Sequence, residues 1–283
     1  MKILISCDME GTCGVVHFNQ VDPPDGFTYD VLRPSPDYEW ARRLLTQEVN
    51  AAIEGALDGG ADEVYVNESH NGMRNILPEE LNPKAQLING ADKPLSMMQG
   101  VDLGVDGVIC TGYHAAANTL GAVLAHTYSL SIQELRLNGV WVGEAGFNAA
   151  IAGYYHVPVV MVSGDDKVVI EVRELLGEKV VGVQVKQGIS RAAAIQLHPQ
   201  KARQLIHEGA KKAVGLTREI PPYQPKSPIR MDVELMNVTQ ADRAEMLPGA
   251  ERTGKARISY TAPDMPQIAK AFTVVAHLAG SLF

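Results

Sequence analysis

Cysteine is scarce in this sequence: Cys7, Cys13 and Cys110 are the three in 283 residues. An odd number cannot all pair within the chain, and none stands in a C-x-x-C arrangement, so no disulfide framework is expected and a reducing compartment fits. Long apolar runs are also missing. The opening run Met1 to Ser6 is too short for a signal-peptide core and soon meets Asp8, while no later stretch is long enough to span a bilayer, so the expectation is a cytoplasmic protein with no membrane partner. Basic charge is in deficit, with 25 Lys and Arg against 33 Asp and Glu and a net charge of -8. Phosphate backbones need clustered cations, so nucleic acid is excluded as a partner, whereas metal cations and small peptides suit the balance. Fixed-period repeats and low-complexity tracts are absent too.

What is present is a 46% apolar content, enough for a large core in one large domain or two modest ones. Ile3 to Ser6 reads as a buried strand. Ser35-Pro36-Asp37 then supplies an N-cap and a proline for the first helical position. Trp40, Leu44, Leu45, Val49, Ala52, Ile53 and Leu57 recur at helical spacing until Gly59-Gly60 stop the helix. Glu63 to Asn67 follows as a second strand, and the βαβ unit so formed favours a parallel sheet covered by helices. Gly107 to Thr111 and Pro158 to Val162 read as further strands, with helices over Glu144 to Tyr155 and Pro199 to Val214. The stretch Ile220 to Pro225 reads as a linker or extended crossing segment. Beyond it, Ile229, Met231, Val233 and Leu235 alternate with polar residues as in a half-buried strand, and a helix around Ile268, Phe272 and Val275 closes the chain. The expected fold is α/β: a mostly parallel central sheet flanked by helices in a catalytic domain over 1–215, and a smaller α+β portion over 216–283.

In open parallel sheets, functional groups collect past the carboxyl ends of the strands. Three of the expected strands end there in candidate ligands: Asp8-Met9-Glu10-Gly11, Asn67-Glu68-Ser69-His70 and Gly112-Tyr113-His114. Alone, each has an ordinary structural reading as a cap or a hydrogen-bonded histidine. Together, carboxylates and imidazoles from separate strand ends make a mixed N/O site of the kind that suits zinc. An extended segment would turn Asp8 and Glu10 to one face. Asn67 is a candidate for orienting such ligands, and Glu68 reads as packing. His17 lies in a rim that substrate would touch; His156, His207 and His277 read as structural, and Asp165 and Asp166 as caps of a helix beginning near Val168.

The ordered motifs S-C-D-M-E-G (Ser6 to Gly11), V-N-E-S-H (Val66 to His70), G-Y-H-A (Gly112 to Ala115), V-G-E-A-G-F-N-A (Val142 to Ala149), A-G-Y-Y-H-V-P-V (Ala152 to Val159), G-D-D (Gly164 to Asp166) and K-Q-G-I-S-R (Lys186 to Arg191) resemble the D-aminopeptidases of the dipeptide-transport-associated type, a family of binuclear zinc peptidases. The resemblance implies two zinc ions per subunit held by Asp8, Glu10, His70, His114 and Glu144. Asp8 would bridge them, with Glu10 and His114 completing one site and His70 and Glu144 the other. It implies that His126 is catalytic, as general base or as nucleophile, and that the substrate is a short peptide or amino-acid amide, with D-specificity at its amino terminus. It also implies a ring-shaped homo-oligomer, a decamer. The segment Val15 to Pro36 is longer than its counterpart in the family and would shape the pocket rim.

Two rival readings are weaker. Asp8-Met9-Glu10-Gly11-Thr12 resembles the D-x-D-G-T of haloacid-dehalogenase phosphatases, in which Asp8 would attack phosphate beside Mg²⁺. The longer Glu10 would misplace the proton donor there, and His70, His114 and Glu144 would have no task. A non-enzymatic Rossmann-like binding module needs a glycine-rich phosphate loop after the first strand, and Gly11-Thr12-Cys13-Gly14 is not one.

Overall fold

A computed structural model of the chain describes residues 1–22 and 36–280. The expected cap Ser35 and most of the Val15 to Pro36 segment lie outside the described residues. In chain order the elements are β1 (Lys2–Cys7), α1 (Pro36–Asp58), β2 (Glu63–Glu68), β3 (Ala85–Ile88), β4 (Gly107–Tyr113), β5 (Ile132–Leu137), β6 (Val140–Trp141), α2 (Glu144–Tyr154), β7 (Val159–Asp165), α3 (Asp166–Leu176), β8 (Val181–Ser190) and β9 (Ala193–Gln196). They continue with α4 (Pro199–Val214), β10 (Ile229–Leu235), α5 (Val238–Ala244), β11 (Glu251–Arg252), β12 (Arg257–Ala262) and α6 (Met265–Gly280).

Seven strands form the main sheet in the order β3-β2-β1-β4-β7-β8-β9. All neighbours run parallel except β9, which returns antiparallel beside β8. The central strands are continuous apolar runs because helices cover both faces, and β4 and β7 are buried at every residue. On α1, Leu45, Val49, Ala52 and Ile53 are buried as their spacing predicts, but Trp40 is 47% exposed and lies outside the core stripe. The order reverses at β1, with β2 on one side and β4 on the other. Chain order thus opens a crevice past the carboxyl ends of these three strands, the position where open α/β sheets bind ligands.

A second, antiparallel sheet has the order β11-β12-β10-β5-β6. Its strand β10 alternates buried and partly exposed residues as its sequence pattern requires. Two of its strands come from before residue 216: the hairpin β5–β6 turns on Asn138-Gly139, both with positive φ (50° and 82°), and β5 pairs with β10. The Pro-rich stretch is an extended crossing, tied to the end of α2 where Gln224 Nε2 donates to the Gly153 carbonyl at 2.6 Å.

The segment past β1 is bonded through its backbone to the end of β4. Gly11 N donates to Gly112 O at 2.7 Å, and Asp8 N donates to Thr111 O at 2.8 Å. Gly112 has φ +69°, and a Cβ there would collide with the Asp8 carbonyl. Gly139 has φ +82° and open space around it, so there an alanine would meet only the left-handed backbone penalty. Gly112→Ala is therefore expected to destabilise the protein by about 1–3 kcal/mol more than Gly139→Ala in denaturant unfolding.

Candidate metal centre

Six side chains from four segments of the chain converge past the carboxyl ends of β1, β2 and β4. Asp8 follows β1, Glu10 lies in the turn after it, His70 stands two residues past β2, and His114 follows β4 directly. Glu144 opens α2, and His126 comes from the long connection between β4 and β5. Residues 9–12 form a bend and turn, not an extended segment. The common direction of Asp8 and Glu10 therefore comes from that turn rather than from strand alternation.

Asp8 sits between two histidines. His70 Nδ1 is 3.3 Å from Asp8 Oδ1 and 3.0 Å from Glu10 Oε2. On the other side, His114 Nε2 is 3.4 Å from Asp8 Oδ2 and 3.2 Å from Glu144 Oε1. The ligand atoms thus gather by proximity as Asp8, Glu10 and His70 in one group and Asp8, His114 and Glu144 in another, with Asp8 common to both. Glu10 and His114 also meet, in a third group that includes His126. Asp8, Glu10 and His114 each belong to two of the three groups.

Each histidine presents a fixed tautomer, because its other ring nitrogen must donate to a backbone carbonyl. His70 Nε2 donates to Val21 O at 2.8 Å, His114 Nδ1 to Ala115 O at 3.0 Å, and His126 Nδ1 to Leu124 O at 2.8 Å. His70 Nδ1, His114 Nε2 and His126 Nε2 are thereby turned toward the carboxylates, the orientation a ligating imidazole needs.

Charge explains the titration of the group. Burial, and then the nearby Glu10 carboxylate, push Asp8 up to about 7. Burial acts to raise Glu10 and Glu144 as well, but His70 holds Glu10 well below the usual carboxylate range, and His114 holds Glu144 low. The counterparts His70 and His114 are raised well above ordinary histidine: burial opposes their charge, and Glu10 and Glu144 respectively overcome it. His126 behaves oppositely. Burial and the neighbouring His114 lower it, and its ring stacks on that of His114 at 4.0 Å with an 11° interplanar angle.

The donor set fits divalent metal. Asp8 Oδ2, Glu10 Oε2 and His114 Nε2 are buried without a hydrogen-bond partner, although they approach neighbouring site atoms within 3.0–3.4 Å. Atoms this close that do not bond to one another point at shared space, and carboxylate oxygen with imidazole nitrogen is the chemistry zinc accepts.

Residues beyond the ligands hold them in place. Glu144 lies in the first turn of α2, where the helix dipole favours a carboxylate, and Oε1 accepts from Tyr128 N at 2.6 Å. Glu68 accepts from the backbone and side chain of Asn75, whose Nδ2 donates to His70 O at 2.9 Å. Asn67 instead binds Lys93 Nζ at 2.6 Å and does not reach a ligand side chain. Lys186, 1% exposed, donates to the carbonyls of Glu10, Thr12 and Val15 at 2.6, 3.0 and 2.7 Å and fastens the Glu10 turn. Burial lowers it to about 8.

The connection that carries His126 holds three non-glycine residues at positive φ, Asn118, Leu124 and Tyr128, a density typical of positions the surroundings must enforce. Asp165 caps α3, as expected, and its other oxygen accepts from Val123 N at 2.8 Å. Leu124 N donates to Arg191 O at 2.8 Å. Sequence reasoning missed Lys186, Tyr128 and this second task of Asp165; the quoted stretches G-D-D and K-Q-G-I-S-R contained two of the three. The remaining histidines stay away from the centre: His17 caps the short helix Phe18–Gln20, His207 pairs with Asp58, His277 donates to Thr273 O, and His156 meets Gln224.

Comparison with known proteins agrees with this geometry. The D-aminopeptidase family profile, Peptidase_M55, matches residues 1–274. A D-aminopeptidase of Bacillus subtilis (strain 168) is 39% identical over 280 residues, covering 99% of this chain and 98% of the relative. Among solved structures, the Zn-dependent D-aminopeptidase DppA from Bacillus subtilis, a self-compartmentalizing protease, superposes with a TM-score of 0.93 at 37% identity over the whole of both chains. With four ligand-type side chains around the shared Asp8 carboxylate, a third histidine beside them, and likeness along its whole length, the chain belongs to the D-aminopeptidase family.

Proposed function

We propose that this chain is a zinc-dependent aminopeptidase that removes the amino-terminal residue, of D configuration, from short peptides or amino-acid amides. The observation that carries the reading is the set of buried, unpartnered atoms Asp8 Oδ2, Glu10 Oε2 and His114 Nε2 beside the free Nε2 of His126. Asp8, Glu10, His70, His114 and Glu144 are the residues that would hold two zinc ions. When bound, zinc supplies a Lewis acid for the scissile carbonyl and an acidified water. Likeness to the Zn-dependent D-aminopeptidase of Bacillus subtilis, in sequence and in structure, supports the D-specific reaction and the metal.

His126 is the residue that moves protons. Its Nε2 stands 3.6 Å from Glu10 Oε1 and 3.8 Å from Glu144 Oε1, and its side chain, 12% exposed, is the most open of the six. A lowered pKa keeps it neutral at neutral pH, so Nε2 accepts a proton from the attacking water and returns it to the leaving amine.

The self-compartmentalizing relative supports assembly of this chain into a closed homo-oligomer, and we take a decamer as its form. No helix among the described residues is long and apolar enough to cross a membrane; that and the three unpaired cysteines support a cytoplasmic location. The catalytic domain in this reading is 1–215, with 216–283 as the smaller portion.

Metal content and turnover separate ligands from the proton carrier. Asp8→Ala and His70→Ala are expected to lose zinc and activity in parallel. His126→Ala is expected to keep its zinc while kcat falls by about 10²–10⁴-fold. A zinc-depleted His126→Ala protein, or one turning over at a near-normal rate, contradicts the assignment. Free and N-acetylated forms of one short D-peptide, compared by kcat/KM, test the aminopeptidase reading: the free form is expected to be strongly preferred, and equal rates indicate a general amidase.

A further inference from the structure

Beside His126 the surface opens into a groove of about 420 Å³, walled by Asn118, Thr119, Leu120, Ala125, Ile189 and Arg191 among others. One wall is the strained connection that carries His126, and the other is the end of the β8–β9 hairpin. The two walls are held at a fixed spacing. Gly188 meets Gly121 so closely that a Cβ would collide with its carbonyl, and Leu124 N is bonded to Arg191 O.

Arg191 is the one charged residue among those lining the groove. Its side chain is exposed, and its guanidinium lies 5.3 Å from the centroid of the Phe18 ring, which in turn meets the His126 ring edge-on at 5.9 Å. It pairs with no carboxylate among the described residues, in a chain whose net charge is -8. Stacking on an aromatic face fixes a guanidinium while leaving its donors free, the state in which arginine recognises carboxylates. Ile189 and Leu120 are exposed at 62% and 93% and add no competing charge.

The candidate metal centre lies inside, the guanidinium lies at the rim, and His126 stands between. We infer that Arg191 binds the free α-carboxylate of the substrate, so that a short peptide lies with its amino-terminal residue at the metal centre and its carboxyl terminus in the groove. A chain advances about 3.3–3.6 Å per residue, so a guanidinium two ring contacts from His126 matches a carboxylate one to three residues past the scissile bond. The preferred substrates are then di- to tetrapeptides with free carboxyl termini, discriminated from their C-terminal amides by a charge-assisted hydrogen bond. This rests on the aminopeptidase reading for the direction of the substrate.

The test compares D-Ala-Gly with D-Ala-Gly-amide on the zinc-loaded wild-type protein, Arg191→Met and Arg191→Lys. Calorimetric binding of the reduced-bond analogues of both peptides, which cannot be hydrolysed, runs in parallel. Wild type is expected to prefer the free acid in both measurements. In Arg191→Met the acid-to-amide ratio should fall at least about tenfold, through KM and through the analogue's Kd rather than kcat, and Arg191→Lys should recover part of it. The backbone carbonyl that Leu124 uses is retained in both variants, and kcat on the amide reports any displacement of His126. An acid-to-amide ratio that Arg191→Met leaves unchanged, or an equal loss on both substrates, overturns the assignment. If neither peptide is hydrolysed by wild type, the aminopeptidase reading fails, and the analogue binding ratio still decides whether Arg191 recognises carboxylate.

Discussion

The carboxylates of Asp8, Glu10 and Glu144 meet in a buried space where no lysine or arginine among the described residues pairs with any of them. Two like charges about 5 Å apart at an effective dielectric of about 20 repel by about 3 kcal/mol, so the cluster needs cations or protons to exist. His70 and His114, raised well above ordinary histidine by Glu10 and Glu144, supply positive charge, and burial with Glu10 raises Asp8. The acidic cluster in turn demands a rigid frame, because relaxation of any one loop would let the repelling groups separate.

The frame is built from buried polar groups that bind mainly backbone. Lys186 gathers three carbonyls around the Glu10 turn, Glu68 and Asn75 grip the His70 loop, Asp165 fastens the His126 connection, and Glu171 accepts from Ala116 N at 2.8 Å just past His114. Each loop that brings a reactive side chain thus has its own buried anchor. Removing such an anchor leaves polar backbone without partners, which costs more than the bond itself contributes.

Much of this was legible in the residues. Short apolar runs marked β1, β2, β4 and β7, and strict alternation marked β10, because those signals arise from burial on one face or two. Ligand types at successive strand ends marked Asp8, His70 and His114, since the topology of a parallel sheet brings strand ends together. Glu144 and His126 came from family likeness, as neither has a local pattern separating it from an ordinary helix start or a loop histidine. The β5–β6 hairpin carried a signal that went unread, Asn138-Gly139 between apolar stretches. Lys186 carried none: period-two alternation directs it outward beside the buried Val185, and a register shift where β8 meets β7 turns it in. Such a shift depends on the neighbouring strand, which no window along β8 contains.

The tie from Lys186 to the turn at residues 10–15 spans more than half the chain, and it has a consequence for biogenesis. On the ribosome, Asp8, Glu10 and His70 emerge early, yet the turn that sets Glu10 has no fastening until residue 186 has been made and β8 has docked. Contacts of such sequence separation form late, because loop closure precedes any gain from them. A nascent chain therefore offers metal only scattered, mobile ligands, and the complete cage arises when the sheet closes. Ion capture is by this logic a maturation step of an already folded subunit rather than the event that nucleates its folding.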